Sequence, residues 1–193
     1  MEYIEIAGKK GTRTALGTWA IGGWMWGGTN DIESMDTLAA AMQKGINVID
    51  TAPVYGFGKS EELVGEAVRL YGRDRIVLCT KAGIEWDDAR VFRNASADRI
   101  KKEIEDSLKR LQTDYIDLYQ VHWPDPLVPV EETAVAMKEL FDQGVIKAIG
   151  VSNFTPEQMD EFSDHAPLHS SQPPYNIFER GIEKDVLPYC KKN

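Results

Sequence analysis

The feature that most limits how this chain can fold is a recurring pair: a short apolar run, then a longer segment with helical spacing. The runs are Ala15-Leu16-Gly17, Val48-Ile49, Ile76-Val77-Leu78, Tyr115-Ile116-Asp117-Leu118-Tyr119 and Ala148-Ile149-Gly150-Val151, with a weaker sixth at Leu168-His169-Ser170. Short apolar strands that alternate with amphipathic helices pair in parallel through right-handed crossovers.

The helices are legible one by one. Asn30-Asp31 suits an N-cap, Ile32, Met35, Leu38, Ala39 and Met42 share a helical face, and Gly45 supplies a left-handed stop. Ser60 opens a second helix with Leu63, Val64, Ala67 and Tyr71 on one side, closed by Gly72. Ser96 opens a third, where Ile100, Ile104 and Leu108 recur every fourth residue and Leu111 follows on the same side. Ala134, Met137 and Phe141 mark a fourth, which stops at Gly144. Thr155-Pro156-Glu157-Gln158 is a capping box with proline at the first helical position, and a sixth helix is expected from near Glu183.

Two architectures accommodate this alternation, the doubly wound sheet and the (β/α)8 TIM barrel. A dinucleotide-binding doubly wound sheet carries G-x-G-x-x-G directly after its first strand. Here the segment reads Gly17-Thr18-Trp19-Ala20-Ile21-Gly22-Gly23, with the wrong spacing and no helix immediately behind it. The barrel is therefore the expected α/β fold, in a single domain over residues 1–193, because no linker or low-complexity run divides the chain. Ahead of it, Tyr3-Ile4-Glu5-Ile6 and Gly8-Lys9-Lys10-Gly11 read as an N-terminal β-hairpin able to plug the barrel's bottom. About six βα units in 193 residues fall short of the eight strands and ~250 residues typical of the fold, so the domain is expected to be C-terminally incomplete.

Composition narrows the partners. With 22 Lys+Arg against 31 Asp+Glu the net charge is −9, the wrong sign for tracking phosphates, so no nucleic acid is expected. Apolar stretches such as Ile76-Val77-Leu78-Cys79 are far short of the ~20 residues of a membrane span. The start carries no secretory pattern, and Cys79 and Cys190 are lone thiols, which together suggest a reduced, cytoplasmic setting. His165 and His169 lack ligand-like spacing, so no metal is expected.

In a barrel, chemistry sits where strands end. The strand ends here deliver Asp50, Lys81, His122, Ser152-Asn153 and Gln172, an acid, a base and an imidazole from three consecutive strands. Asp50 also begins Asp50-Thr51-Ala52-Pro53-Val54-Tyr55-Gly56, an excursion able to return Tyr55 to the barrel mouth. A tyrosine beside a lysine suits proton transfer, because an ammonium favours the neighbouring phenolate, and Asp50 would hold Lys81 charged. Taken singly, each residue has an alternative: Tyr55 as a loop anchor, Asp50 and Lys81 as a structural ion pair, His122 as a core histidine. Their convergence on one rim favours a site.

Taken together, Gly45-Ile46-Asn47-Val48-Ile49-Asp50-Thr51-Ala52-Pro53-Val54-Tyr55-Gly56, Thr80-Lys81, Gln120-Val121-His122, Gly150-Val151-Ser152-Asn153-Phe154 and Ser171-Gln172 resemble the aldo-keto reductases end to end. Gly17-Thr18-Trp19-Ala20-Ile21-Gly22-Gly23 and Gln172-Pro173-Pro174-Tyr175-Asn176 are most similar to the bacterial and plant NADPH-dependent branch, which also resembles the potassium-channel β subunits. The resemblance implies a catalytic tetrad of Asp50, Tyr55, Lys81 and His122, with Tyr55 as general acid, Lys81 and Asp50 tuning it, and His122 orienting the carbonyl of a small-molecule aldehyde or ketone. It implies NADP(H) as cofactor, with Ser152, Asn153 and Gln172 on the carboxamide, Thr18 and Trp19 along the cofactor, and Asp50 near the ribose. A primary amide needs both donors and acceptors, which Ser, Asn and Gln supply. The family's later strands, with the stacking aromatic residue and the basic residues for the 2′-phosphate, have no counterpart in these residues. Trp24, Trp26, Trp86 and Trp123 fall in loops that line the substrate pocket of this fold, although each could instead cover the rim or the core. The competing class is a regulatory or redox-sensing module that holds cofactor without efficient turnover.

Overall fold

The computed structural model describes residues 1–193. A hairpin comes first, β1 (Tyr3–Ile6) and β2 (Lys9–Thr12), antiparallel about a two-residue turn. Ala7 and Gly8 both take positive φ, 52° and 75°, as a turn matching the strands' right-handed twist requires. Ile6 and Ala7 pack against Val48, Val77, Cys79, Leu118 and Ala148, so the hairpin does cover the N-terminal end of the sheet's interior.

The main sheet has six parallel strands: β3 (Ala15–Gly17), β4 (Val48–Asp50), β5 (Val77–Ala82), β8 (Leu118–Val121), β9 (Ile149–Ser152) and β10 (Ser170–Gln172). Their spatial order is their chain order. Every crossover therefore steps the same way and leaves its helix on the same face, whereas a doubly wound sheet reverses direction at a switch point. The result is the expected α/β barrel architecture, carried here over six strands as an open, curled sheet.

The outer layer holds α1 (Asp31–Gln43), α2 (Lys59–Tyr71), α3 (Ala97–Leu111), α4 (Val130–Asp142), α5 (Pro156–Ser163) and α6 (Val186–Lys192). Between helices and sheet, the main core joins Leu63, Val64, Ile100 and Met137 to strand residues such as Leu78 and Ile149. Burying side chains of this kind contributes roughly 1.5–3 kcal/mol each. No helix is long and apolar enough to cross a membrane.

Most element positions follow the sequence pattern, and the departures have local causes. Asn30 caps α1 by accepting from the amides of Ile32 and Glu33, but Ile32 itself is exposed, because the buried stripe is Ser34, Leu38 and Ala41. Helix α2 starts at Lys59 after Gly58, and Ser60 is buried in side-chain hydrogen bonds instead of capping. Strand β10 begins at Ser170, two residues after the expected Leu168, and α6 begins at Val186, after a short turn at Gly181–Glu183. A second hairpin, β6 (Ile84–Trp86) with β7 (Val91–Arg93), adds to the pattern of βα units. Its turn is made by Asp87, whose Oδ1 accepts from the amides of Ala89 and Arg90.

Candidate active site

Parallel register places the ends of β4, β5, β8, β9 and β10 at one rim, with Gly17 beside Asp50 and Ser152 beside Gln172. Lys81, next to last on β5, turns its side chain inward and is buried. Its Nζ donates to Asp50 Oδ2 at 2.8 Å, to the Thr51 carbonyl at 3.0 Å and to Tyr55 Oη at 3.2 Å. Three partners match the three protons of an ammonium. Burial works against that charge, but Asp50 and Tyr55 outweigh it, and the Lys81 pKa lies above its ordinary value.

Tyr55 reaches this spot on the loop between β4 and α2, and a backbone contact shapes the approach. Gly22 lies so close to this loop that a Cβ there would sit 2.4 Å from the Tyr55 carbonyl carbon, and a Cβ on Gly56 would sit 2.0 Å from the Gly22 carbonyl oxygen. Neither position admits a side chain, and Gly56 also has a φ of 66°. The Tyr55 amide donates to the Ala52 carbonyl and the Ser60 amide to the Tyr55 carbonyl, which closes the turn.

His122 follows β8, with its amide donating to the Ala82 carbonyl at 2.9 Å. Its ring meets that of Tyr55 edge-on at 5.8 Å, and neither ring nitrogen has a protein hydrogen-bond partner. Burial and the Lys81 charge push its pKa down to about 3, so the imidazole is neutral and presents one N–H donor to the cleft. Gln120, two residues earlier on the same strand face, is buried and donates from Nε2 to Asp50 Oδ1 at 3.4 Å. In the sequence the only signal for this place of Gln120 is its period-two alternation with His122.

Further along the same rim, at the ends of β9 and β10, Ser152, Asn153 and Gln172 differ in what they have left to offer. Ser152 Oγ donates to the Gln172 carbonyl at 2.7 Å, so its proton is committed within the protein. Asn153 adopts a φ of 63° and donates from Nδ2 to the His122 carbonyl and to Ser152 Oγ, both at 3.0 Å. Its Oδ1 and the exposed Gln172 amide remain open toward the cleft, an acceptor and a donor–acceptor pair.

The cleft holds about 470 Å³ and is lined by Tyr55, Lys81, His122, Ser152, Asn153 and Gln172 together with Trp19, Trp24 and Trp123. Trp19 stacks on Tyr55 at 6.1 Å with a 25° tilt. Two of the tryptophans expected around the substrate lie elsewhere. Trp26 is exposed and packs edge-on against Trp19 at 5.6 Å, outside the cleft. Trp86, on the β6–β7 hairpin, packs at 5.6 Å on Phe57, which in turn meets Trp24 at 5.1 Å, and these three line an open bay that adjoins the cleft at Trp24. Thr18, expected along the cofactor, is fully buried beneath the cleft: its hydroxyl donates to the Asp50 carbonyl and accepts from Ser60, tying β3 to β4. Asp50 has both carboxylate oxygens engaged, by Lys81 and Gln120, and sits behind the lysine. His169 accepts the Ile149 amide at 3.1 Å, which accounts for its position.

The chain belongs to the aldo-keto reductases: the Aldo/keto reductase family model matches residues 13–193. Among individual relatives, the aldo-keto reductase YhdN of Bacillus subtilis is 62% identical over 196 residues, taking in 100% of this chain and 59% of its own length. The NADH-specific methylglyoxal reductase of Escherichia coli is 39% identical, covering 94% of this chain and 60% of its own. The solved structure of the glycerol dehydrogenase of Gluconobacter oxydans superimposes with a TM-score of 0.91 at 52% identity, over 98% of this chain and 60% of that one. An aldo/keto reductase of Klebsiella pneumoniae, solved with NADP and acetate, superimposes with a TM-score of 0.82 at 33% identity, over 98% and 64%. The chain spans about three-fifths of the length of the curated relatives it matches.

Proposed function

We propose that this chain carries the reaction centre of an NADPH-dependent oxidoreductase that reduces small aldehydes or ketones to alcohols, with Tyr55 as the proton donor. The observation that carries this reading is the Tyr55 hydroxyl 3.2 Å from a buried ammonium at the mouth of a cleft. The cleft suits a nicotinamide: the open Asn153 Oδ1 and Gln172 amide match a carboxamide, and Trp19 offers a flat wall. When bound, that cofactor supplies a hydride to the carbonyl carbon.

The protein's own groups then act on the carbonyl oxygen. Tyr55 passes its proton there as negative charge develops, and the Lys81 ammonium stabilises the phenolate left behind. Asp50, braced by Gln120, keeps that ammonium charged and pointed at Tyr55. Neutral His122 donates a hydrogen bond to the same oxygen and so orients the substrate without competing as an acid. No covalent intermediate is needed. Trp24 and Trp123 supply apolar walls, which favour carbonyl compounds with hydrophobic substituents.

The test is Tyr55→Phe, followed by NADPH absorbance with a short aldehyde, while cofactor fluorescence reports binding. Loss of turnover with unchanged cofactor affinity is expected, and undiminished turnover removes Tyr55 from the role. Because one relative is NADH-specific and another was solved with NADP, the same titration is run with both dinucleotides, and tighter NADH binding would overturn the NADPH assignment. Slow single-turnover oxidation with no steady state would favour the sensing module.

A further inference from the structure

Tyr55 and Lys81 arrive from different elements, so something must fix the loop entering α2 against strand β5. Besides the bonds of Lys81 itself, a side-chain link between α2 and β5 is made by Glu61. It is fully buried in the first turn of α2, six residues after Tyr55, and its Oε1 accepts the Thr80 hydroxyl at 2.7 Å. Thr80 directly precedes Lys81 and, by strand alternation, faces the helices while Lys81 faces the interior. The other carboxylate oxygen accepts from Arg110 Nε at 2.7 Å and Ser107 Oγ at 3.3 Å on α3. Ser60, the neighbour of Glu61, bonds Thr18 and Thr51, so the end of the Tyr55 loop is tied on both sides.

Fold stability alone does not call for this arrangement. A buried ion pair is often replaceable by packed apolar residues without loss, because desolvating the charges offsets most of their attraction. What an apolar contact lacks is direction: it would let α2 slide along β5, whereas a hydrogen bond to Thr80 sets one register.

We propose that Glu61 is a positioning residue which, through Thr80, holds the Tyr55 loop at hydrogen-bonding distance from Lys81. The proposal rests on the reading of Tyr55 as proton donor, and its test separates the two. Thr80→Val removes the hydroxyl with little change of shape, Thr80→Ser keeps it, and Thr80→Cys supplies a weaker donor. Two quantities are read on the purified chain: kcat and KM with a short aldehyde, and the ring 13C signal of Tyr55, assigned by its disappearance in Tyr55→Phe. Since misplacing a reacting group by ~1 Å can cost up to ~100-fold in rate, kcat in Thr80→Val should fall about tenfold or more with KM nearly unchanged. The Tyr55 signal should move in the same variant, and serine should restore both, with cysteine between. A valine variant whose melting temperature drops while kcat per folded molecule and the Tyr55 signal stay put overturns the proposal. So does a serine variant as impaired as valine. If valine does not fold, the cysteine and serine variants decide, since a kcat indifferent to donor strength refutes the link. A wild-type chain without any carbonyl reduction would instead defeat the proposed function, and the Tyr55 signal would then judge the positioning role by itself.

Discussion

Replacing Gly22 by alanine tests how the site is built, because the cost can be worked from distances. The added Cβ would lie 2.4 Å from the Tyr55 carbonyl carbon, 2.5 Å from its oxygen and 2.7 Å from the Gly56 nitrogen, all backbone atoms that cannot rotate away. Ordinary contact begins near 3.4 Å, so the two segments must part by about 1 Å (3.4 − 2.4). Overpacking of this sort costs roughly 1–3 kcal/mol. For a domain of this size each kcal/mol lowers the melting temperature by ~2–4 °C, giving a fall of about 2–12 °C. The displaced segment carries Tyr55, the proposed proton donor, and a ~1 Å error at a group in that role is worth up to ~100-fold in kcat/KM. Gly181→Ala is the matched control, since its Cβ would meet nothing within 4 Å, and it should leave both quantities unchanged. Thermal unfolding and NADPH-linked aldehyde reduction are measured on all three proteins. If Gly22→Ala melts with the wild type and keeps its kcat/KM within twofold, the backbone contact does not place Tyr55.

The buried histidine makes stability depend on pH. With its pKa lowered to about 3, folded His122 refuses a proton that the unfolded chain accepts below about 6.5, so stability falls as pH drops through that window, by an order of 5 kcal/mol at ~1.4 kcal/mol per unit. Glu103 runs the other way: burial pushes its carboxyl up to about 7, against the pull of Arg99, so its contribution is full below about 4.5 and fades as pH rises through 7. Urea midpoints of His122→Asn should accordingly decline from pH 4.5 to 7, where the wild type is flatter; superimposable curves would show that His122 titrates normally. Asn153→Ala removes donors to the His122 carbonyl and Ser152 and leaves alanine at a φ of 63°, so NADPH titration should show about tenfold weaker binding and unfolding a loss of ~1–3 kcal/mol; full retention of both refutes its double role. Thr155→Ala removes one half of the α5 capping box, and a melting temperature lower by the equivalent of ~1 kcal/mol is expected, with turnover unaffected.

What the sequence determined by itself was whatever depends on period and order along the chain. Apolar runs alternating with helical stripes gave parallel strands. Chain order then placed Asp50, Lys81, His122, Ser152 and Gln172 at one rim, because every strand of such a sheet ends on the same side. The α5 capping box was equally legible, being a contact between residues three apart. Tertiary structure decided what depends on distance between elements remote in sequence. The Gly22–Gly56 contact that steers Tyr55 spans two loops, and nothing local in either glycine announces it. Thr18 went under the cleft because Ser60 and the Asp50 carbonyl were there to receive its hydroxyl. Trp86 and Trp26 lie outside the cleft because a hairpin and the edge of Trp19 gave them other surfaces to cover. Gln120 and Glu61 acquired their places for the same reason: alternation fixes which way a side chain points, but which partner it meets is set only when the helices and strands have packed.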